Sequence, residues 1–168
     1  DVKYVDRNGD GVVDDNDRDI IGDPNPDFTY GFQTKVSWKS LSLSASFNGV
    51  QGRDILNVGN RYNNTPGTKS NNVTRKAFQN MWTDENPSNL YPKSTFVVQN
   101  MVMDRYVEDG SYLRCSDITL SYILPAKWTN KIGIKNTSVY ASVKNAFVIT
   151  DYSGYDPEVN SFAFDGLR

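Results

Sequence analysis

An all-β fold of antiparallel strands is predicted by three features of this 168-residue sequence. Four stretches alternate between apolar and polar residues, the connections between them are by turns short and very long, and aromatic residues stand near the ends of the apolar faces. Period-two alternation puts successive side chains on opposite faces of a strand. Short turns on one side and long loops on the other, with aromatic girdles at both interfaces, are the pattern of outer-membrane barrels. The sequence therefore predicts strands of a large transmembrane β-barrel. A soluble β-sandwich, whose apolar faces pack together, shows the same alternation and stays open as the second reading.

Residues 1–27 are an acidic head, where nine Asp against three basic residues leave −6, while the rest of the chain carries +4. Residues 28–49 hold two strands. In Tyr30 to Trp38 the even positions are Tyr30, Phe32, Thr34, Val36 and Trp38, against Gly31, Gln33, Lys35 and Ser37. After the two-residue hairpin Lys39-Ser40, Leu41, Leu43, Ala45 and Phe47 oppose Ser42, Ser44, Ser46 and Asn48. Residues 50–111 form one connection of roughly sixty residues, far beyond an ordinary loop. Val73, Ala77, Phe78, Met81 and Trp82 recur there at helical spacing, which predicts one short helix from Ser70 to Trp82.

Residues 112–147 hold two further strands joined by a turn from Pro125 to Asn136. In the third, Ile118, Leu120, Tyr122 and Leu124 oppose Asp117, Thr119, Ser121 and, imperfectly, Ile123. In the fourth, Val139, Ala141, Val143 and Phe147 oppose Ser138, Tyr140, Ser142 and Lys144, with Asn145 a break on the apolar side. Residues 148–168 read as another loop. Parity puts Lys35, Asp117 and Lys144 on the lumen side, and Cys115 with them. It puts Arg114 on the apolar side, which is tolerable only near the membrane rim. Four strands cannot close a membrane barrel, whose smallest members have about eight, so these strands are expected to be part of something larger.

Composition removes several classes of function. The chain has no histidine and a single cysteine, so no Ser-His-Asp or Cys-His triad, no His/Cys zinc site and no intrachain disulfide can be built from it. A net charge of −2 argues against a nucleic-acid partner, which calls for a basic excess. The longest apolar run is four residues, Ala146 to Ile149, which excludes a membrane-spanning helix. Asp156 and Glu158 are paired carboxylates, but two residues apart on a Gly/Pro loop they are too weak a signal for glycoside hydrolysis. No enzyme is expected.

Asp6 to Asp17 fits the grammar of a twelve-residue calcium loop. Asp6, Asn8 and Asp10 fall at positions 1, 3 and 5, Gly11 at the sharp turn, the Val12 carbonyl at position 7, Asp14 at 9 and Asp17 at 12. Calcium takes six to eight oxygens, and this spacing wraps them round one centre. A run of Asx turns held by local hydrogen bonds is the plainer alternative. Without clear flanking helices, a structural calcium clamp is expected rather than a regulatory switch.

Five motifs, in order, carry a family resemblance. They are Asp6 to Phe32; Met81-Trp82-Thr83-Asp84-Glu85-Asn86-Pro87 with Tyr91-Pro92; Val107 to Arg114; Ile118 to Pro125; and Val143 to Phe147 followed by Tyr152-Ser153-Gly154-Tyr155-Asp156-Pro157-Glu158. Together they resemble the C-terminal region of SusC/RagA-type TonB-dependent outer-membrane transporters of Bacteroidetes. The resemblance implies a 22-stranded barrel filled by an N-terminal plug, import of glycan or peptide oligomers driven through TonB, and a SusD-like surface lipoprotein as lid. Plug and TonB box are not in this sequence, and it is expected to stop before the family's last strand. Residues 1–27, 50–111 and 148–168 would then be extracellular and Pro125 to Asn136 a periplasmic turn. The alternative from another class is a secreted, calcium-stabilised β-sandwich module that binds carbohydrate.

Six loop residues are candidates for substrate or partner contact. Tyr62, Trp82 and Tyr91 offer rings to a sugar or a lid, or else form a satellite cluster beneath the long loop. Tyr155, Asp156 and Glu158 stand in the last loop, where Tyr-Asp-Pro is also ordinary turn chemistry.

Overall fold

The computed structural model describes residues 4–64, 72–94, 102–134 and 136–158. It divides into two compact units, one of residues 25–53 and 110–151 and the other of residues 1–24, 54–109 and 152–168. Residues 70 and 71 of the expected helix, and the stretch after Glu158, lie outside the described residues.

The first unit is a four-stranded antiparallel sheet in the order β1 (Phe28–Trp38), β2 (Leu41–Gln51), β5 (Tyr112–Ile123), β6 (Ser138–Thr150). The strands have 11, 11, 12 and 13 residues. Eleven residues extend about 37 Å, which at a tilt of about 45° crosses about 26 Å, matching the apolar band of an outer-membrane barrel. Phe32 pairs with Phe47, Thr34 with Ala45, Val36 with Leu43 and Trp38 with Leu41, so the apolar positions of β1 and β2 share one face. Leu43 continues to Leu120 and Ala141, and Ala45 to Ile118 and Val143. This face is open: Val36 is 63%, Leu43 46% and Val143 55% exposed. A sandwich would have covered it.

The opposite face is polar. Asp117 Oδ2 meets Lys144 Nζ at 2.7 Å and accepts from Ser142 Oγ at 3.2 Å, while Thr119 donates to Asp117 Oδ1 at 2.9 Å. Ser37 and Ser42 hydroxyls are 3.0 Å apart on the same face. The short connections share one end of the sheet. There Lys39 takes a left-handed φ of 55°, Ser40 O accepts from Ile123 N at 2.8 Å, and Leu124 N donates to Thr137 O at 2.9 Å.

The expected faces of Arg114 and Cys115 are reversed by bulges. Between the pairs Ala45–Ile118 and Phe47–Cys115, β5 carries one residue more than β2. The extra residue is Ser116, whose hydroxyl donates to Ser46 O at 3.1 Å. Between Val143 and Phe147, β6 carries a further residue, and Asn145 there adopts a φ of 50°. An odd insertion flips every side chain beyond it. Cys115 therefore lies on the apolar face with Phe47 and Phe147, and Arg114 on the polar face opposite Asn48. Two insertions in β6 restore its parity, which is why Phe147 keeps its expected face.

The second unit is built on a two-stranded ribbon, β3 (Asp54–Leu56) with β4 (Val107–Asp109), absent from the sequence expectation. Three residues per strand are too few to display alternation. Where one helix is expected, the described residues of the connection form two short ones, α1 (Val58–Asn64) and α2 (Arg75–Asn80). Thr74 caps α2 by accepting from Ala77 N at 3.1 Å, and Ala77 is fully buried. The end of the acidic head docks on the ribbon, with Asp54 N donating to Asp23 O and Asp23 N to the Asp54 carboxylate.

Candidate functional site

The acidic loop is ordered by its own carboxylates. Asp6 accepts from Gly9 N at 2.7 Å and Gly11 N at 2.8 Å, Asn8 Oδ1 from Asp10 N, and Asp10 from Val12 N. Asp14 accepts from Asn16 N at 2.7 Å. Asp17 closes the circle, accepting from Arg7 N and Asp14 N, each at 2.8 Å, and from Asn8 N at 3.3 Å. The N–H groups of Asp14 and then Arg7, with that of Asn8, hold the Asp17 carboxyl below its ordinary value against a smaller effect of burial. Gly11 has a φ of 84°, a conformation that favours glycine at the turn. Arg7 also pairs with Asp19 across the loop. Among the described residues, no three His, Cys, Asp or Glu side chains converge as a metal-holding group. The carboxylates of Asp6, Asp10 and Asp14 and the Val12 carbonyl are hard oxygen donors of the kind calcium takes.

Trp82 and Tyr91 are brought together. Trp82 N donates to Tyr91 O at 3.0 Å beside a parallel bridge between Met81 and Tyr91. Both rings line a cavity of about 1210 Å³, shared with Arg105, Pro92 and, from the acidic loop, Val13, Asp14 and Asp17. Arg105, which the sequence reading did not single out, anchors this corner. Its Nη2 donates to Leu90 O at 2.7 Å, and its guanidinium stands 5.9 Å from the Tyr91 ring and 5.4 Å from that of Tyr106. Lys93 Nζ lies 5.0 Å from the Trp82 ring. Aromatic faces beside fixed cations suit binding of a polar ligand by stacking and hydrogen bonding.

The other candidates lie apart from this cavity. Tyr62 stands on α1, 46% exposed, with the Arg61 guanidinium 5.8 Å from its ring. Tyr155 is fully exposed, and the Asp156 carboxylate accepts from Glu158 N at 2.8 Å in an Asx turn around the buried Pro157. The Asp156 carboxylate thus holds the Glu158 backbone in a turn.

A polar cluster missed in the sequence ties three distant segments together. Glu108 Oε1 accepts from Asn57 Nδ2 at 3.0 Å, Asn60 Nδ2 at 2.9 Å and Ser153 Oγ at 2.9 Å, and Oε2 accepts from Ser153 N at 2.8 Å. Asn57 is nearly fully buried, and its Oδ1 caps α1 by accepting from Asn60 N at 2.8 Å. Burial pushes the Glu108 carboxyl up, but the Ser153 N–H and the Asn60, Ser153 and Asn57 side chains together hold it below the ordinary glutamate value. The legible signal was Asn57 three residues ahead of Asn60 at a helix start.

An antiparallel sheet with one open apolar face, one polar face and strands of bilayer-crossing length is a wall segment of a membrane β-barrel. The chain belongs to the SusC/RagA-type TonB-dependent receptors, β-barrel proteins of the outer membrane. It is 34% identical over 99% of its length to TonB-dependent receptor P26 of Formosa agariphila, and 34% identical over 94% to TonB-dependent receptor SusC of Bacteroides thetaiotaomicron. These matches cover 17% and 15% of the two relatives, so the chain spans about one sixth of their length. The RagAB peptide importer in its closed-closed state superposes with a TM-score of 0.69 at 31% identity, over 83% of this chain and 15% of that one. Its open-open state gives 0.65 at 30% identity, over 80% and 15%. No protein-family model matches the chain.

Proposed function

We propose that this chain is part of an active importer of oligomeric nutrients, glycan or peptide, energised through TonB and lidded by a SusD-like lipoprotein. The observation that carries the reading is the sheet with one apolar and one polar face, in a sequence 30–35% identical to TonB-dependent receptors over nearly its whole length. The unit of long connections is read as facing the cell exterior, and the cavity at Trp82, Tyr91 and Arg105 as a contact for substrate or lid. Tyr62, Tyr155, Asp156 and Glu158 are weaker candidates for the same role. The chain works by shape and gating rather than catalysis. Deleting the gene should abolish growth on one oligomeric nutrient and spare growth on its monomer, and the full-length protein should co-purify with a neighbouring lipoprotein. Unimpaired growth on every glycan and peptide offered would overturn the reading.

Calcium in the acidic loop belongs to the same proposal. Support comes from the position-by-position match of Asp6, Asn8, Asp10, Val12, Asp14 and Asp17 to a calcium loop, and from the way Asp17 closes on Arg7 and Asn8. The ion would fasten the loop and take no part in transport chemistry.

A further inference from the structure

The short-turn end of the sheet is basic and aromatic at once. Lys39 occupies the β1–β2 turn, and Lys127 and Lys131 lie on α3 (Ala126–Thr129) and the 3₁₀ turn that follows it, Asn130–Ile132. All three lysines are exposed. Trp38 and Trp128, beside them in sequence, are 68% and 65% exposed. The two turns are held together, since Ser40 O accepts from Ile123 N and the chain enters α3 two residues later at Pro125. Thr129 is buried, and Ile134 N donates to Thr129 O at 3.1 Å, which closes the turn that follows α3.

Charge at this end is unbalanced. From Phe28 to Arg53 and from Ile118 to Thr150 the sequence contains no aspartate or glutamate. Asp117, the acid nearest in sequence to the second turn, is engaged by Lys144 on the polar face. A fourth lysine, Lys135, falls in the same turn sequence. The chain as a whole is acidic, so a basic end is not a consequence of composition. Tryptophan favours the boundary where one edge of its ring is apolar and the other wet. Lysines at that depth meet lipid phosphates.

We propose that this end binds anionic phospholipid headgroups of the membrane leaflet it faces. Trp38 and Trp128 set the depth, and Lys39, Lys127 and Lys131 pair with phosphodiester oxygens. A basic residue at an anionic surface contributes about 1 kcal/mol, or about fivefold in affinity. Removing three is expected to weaken retention of such a lipid by well over tenfold.

The test uses the full-length protein, purified and reconstituted into vesicles of phosphatidylcholine alone or of equal parts phosphatidylcholine and phosphatidylglycerol. Lipid carried through delipidation is read by native mass spectrometry, and thermal unfolding by the heat-modifiable gel shift. The wild type should retain phosphatidylglycerol selectively and melt higher in its presence. The triple variant Lys39→Gln, Lys127→Gln, Lys131→Gln should lose both effects, while Lys35→Gln with Lys144→Gln on the other face keeps them. Equal retention by wild type and triple variant, or equal retention of phosphatidylcholine, overturns the proposal. A protein without any heat-modifiable band would instead count against the barrel placement on which the proposal rests.

Discussion

Phe47 on β2 and Cys115 on β5 are direct cross-strand partners, and the ring of Phe147 on β6 lies 6.4 Å from that of Phe47 across the same row. Phe32 stacks on Phe47 from the other side at 4.6 Å. The cysteine is fully buried beneath this aromatic row. The row exists because Ser116 is inserted in β5 and Asn145 bends β6, so three strands of unequal length bring like residues level.

Cys115 should therefore resist a membrane-permeant maleimide in the folded full-length protein. Phe147→Ala or Phe47→Ala should expose it, raising the labelling rate severalfold and costing about 0.5–1.5 kcal/mol of ring–ring contact beyond the lost area. Rapid labelling of the wild type would show that the row is not closed.

Gly49 stands opposite Tyr30, and a Cβ at 49 would overlap the Tyr30 ring, whose hydroxyl donates to Tyr112 O at 3.4 Å. The glycine provides the floor on which the aromatic ring lies. Gly49→Ala should cost about 1–3 kcal/mol by overpacking, measured by thermal unfolding. Adding Tyr30→Ala should recover part of that loss, and strictly additive effects would sink the contact.

Leu43 is the third residue of β2, on the open apolar face and 46% exposed, while Ser44 beside it points to the polar face. Leu43→Arg should destabilise by about 2–4 kcal/mol if the position lies at mid-bilayer. Ser44→Arg should be nearly neutral. Equal penalties at the two positions would contradict the assignment of faces.

The four long strands were legible because every second residue reports the same environment over eight to ten positions. Arg114 and Cys115 were not, because one inserted serine carries no compositional mark yet reverses all that follows. The ribbon of β3 and β4 escaped notice for a different reason, its stability coming from pairing across some fifty residues of chain rather than from any local pattern. At the site, Trp82 and Tyr91 were visible as aromatics in the long connection, whereas Arg105 and Glu108 were not. Their roles arise from partners at Leu90, Asn57 and Ser153, which no local spacing announces.

If calcium fills the acidic loop, removing it frees Asp6, Asp10 and Asp14 to repel one another. Chelation should then lower the first calorimetric transition of the full-length protein, and protease should cut between Arg7 and Arg18. Asp6→Asn with Asp10→Asn should reproduce the chelated state without chelator. Superimposable traces with and without chelator would leave only the Asx-turn account of this loop.

Glu108 makes a pH prediction with a definite sign. Its carboxyl is held below the ordinary glutamate value in the closed structure, so an opened loop takes up a proton at a higher pH than the closed one. The stability it contributes is complete above about pH 4.3, the ordinary value, and is lost as pH falls from there through the depressed native value. Glu108→Gln cannot titrate. It should cost about 1–3 kcal/mol at neutral pH, since the buried Asn57 amide loses a charged acceptor, and it should be insensitive to acid. Pepsin cleavage of the full-length protein near residues 57–64 and 151–158, followed from pH 5 downward, separates the two cases. Wild type should approach the variant's cleavage rate as pH falls, whereas parallel profiles would show that Glu108 does not lock these segments together.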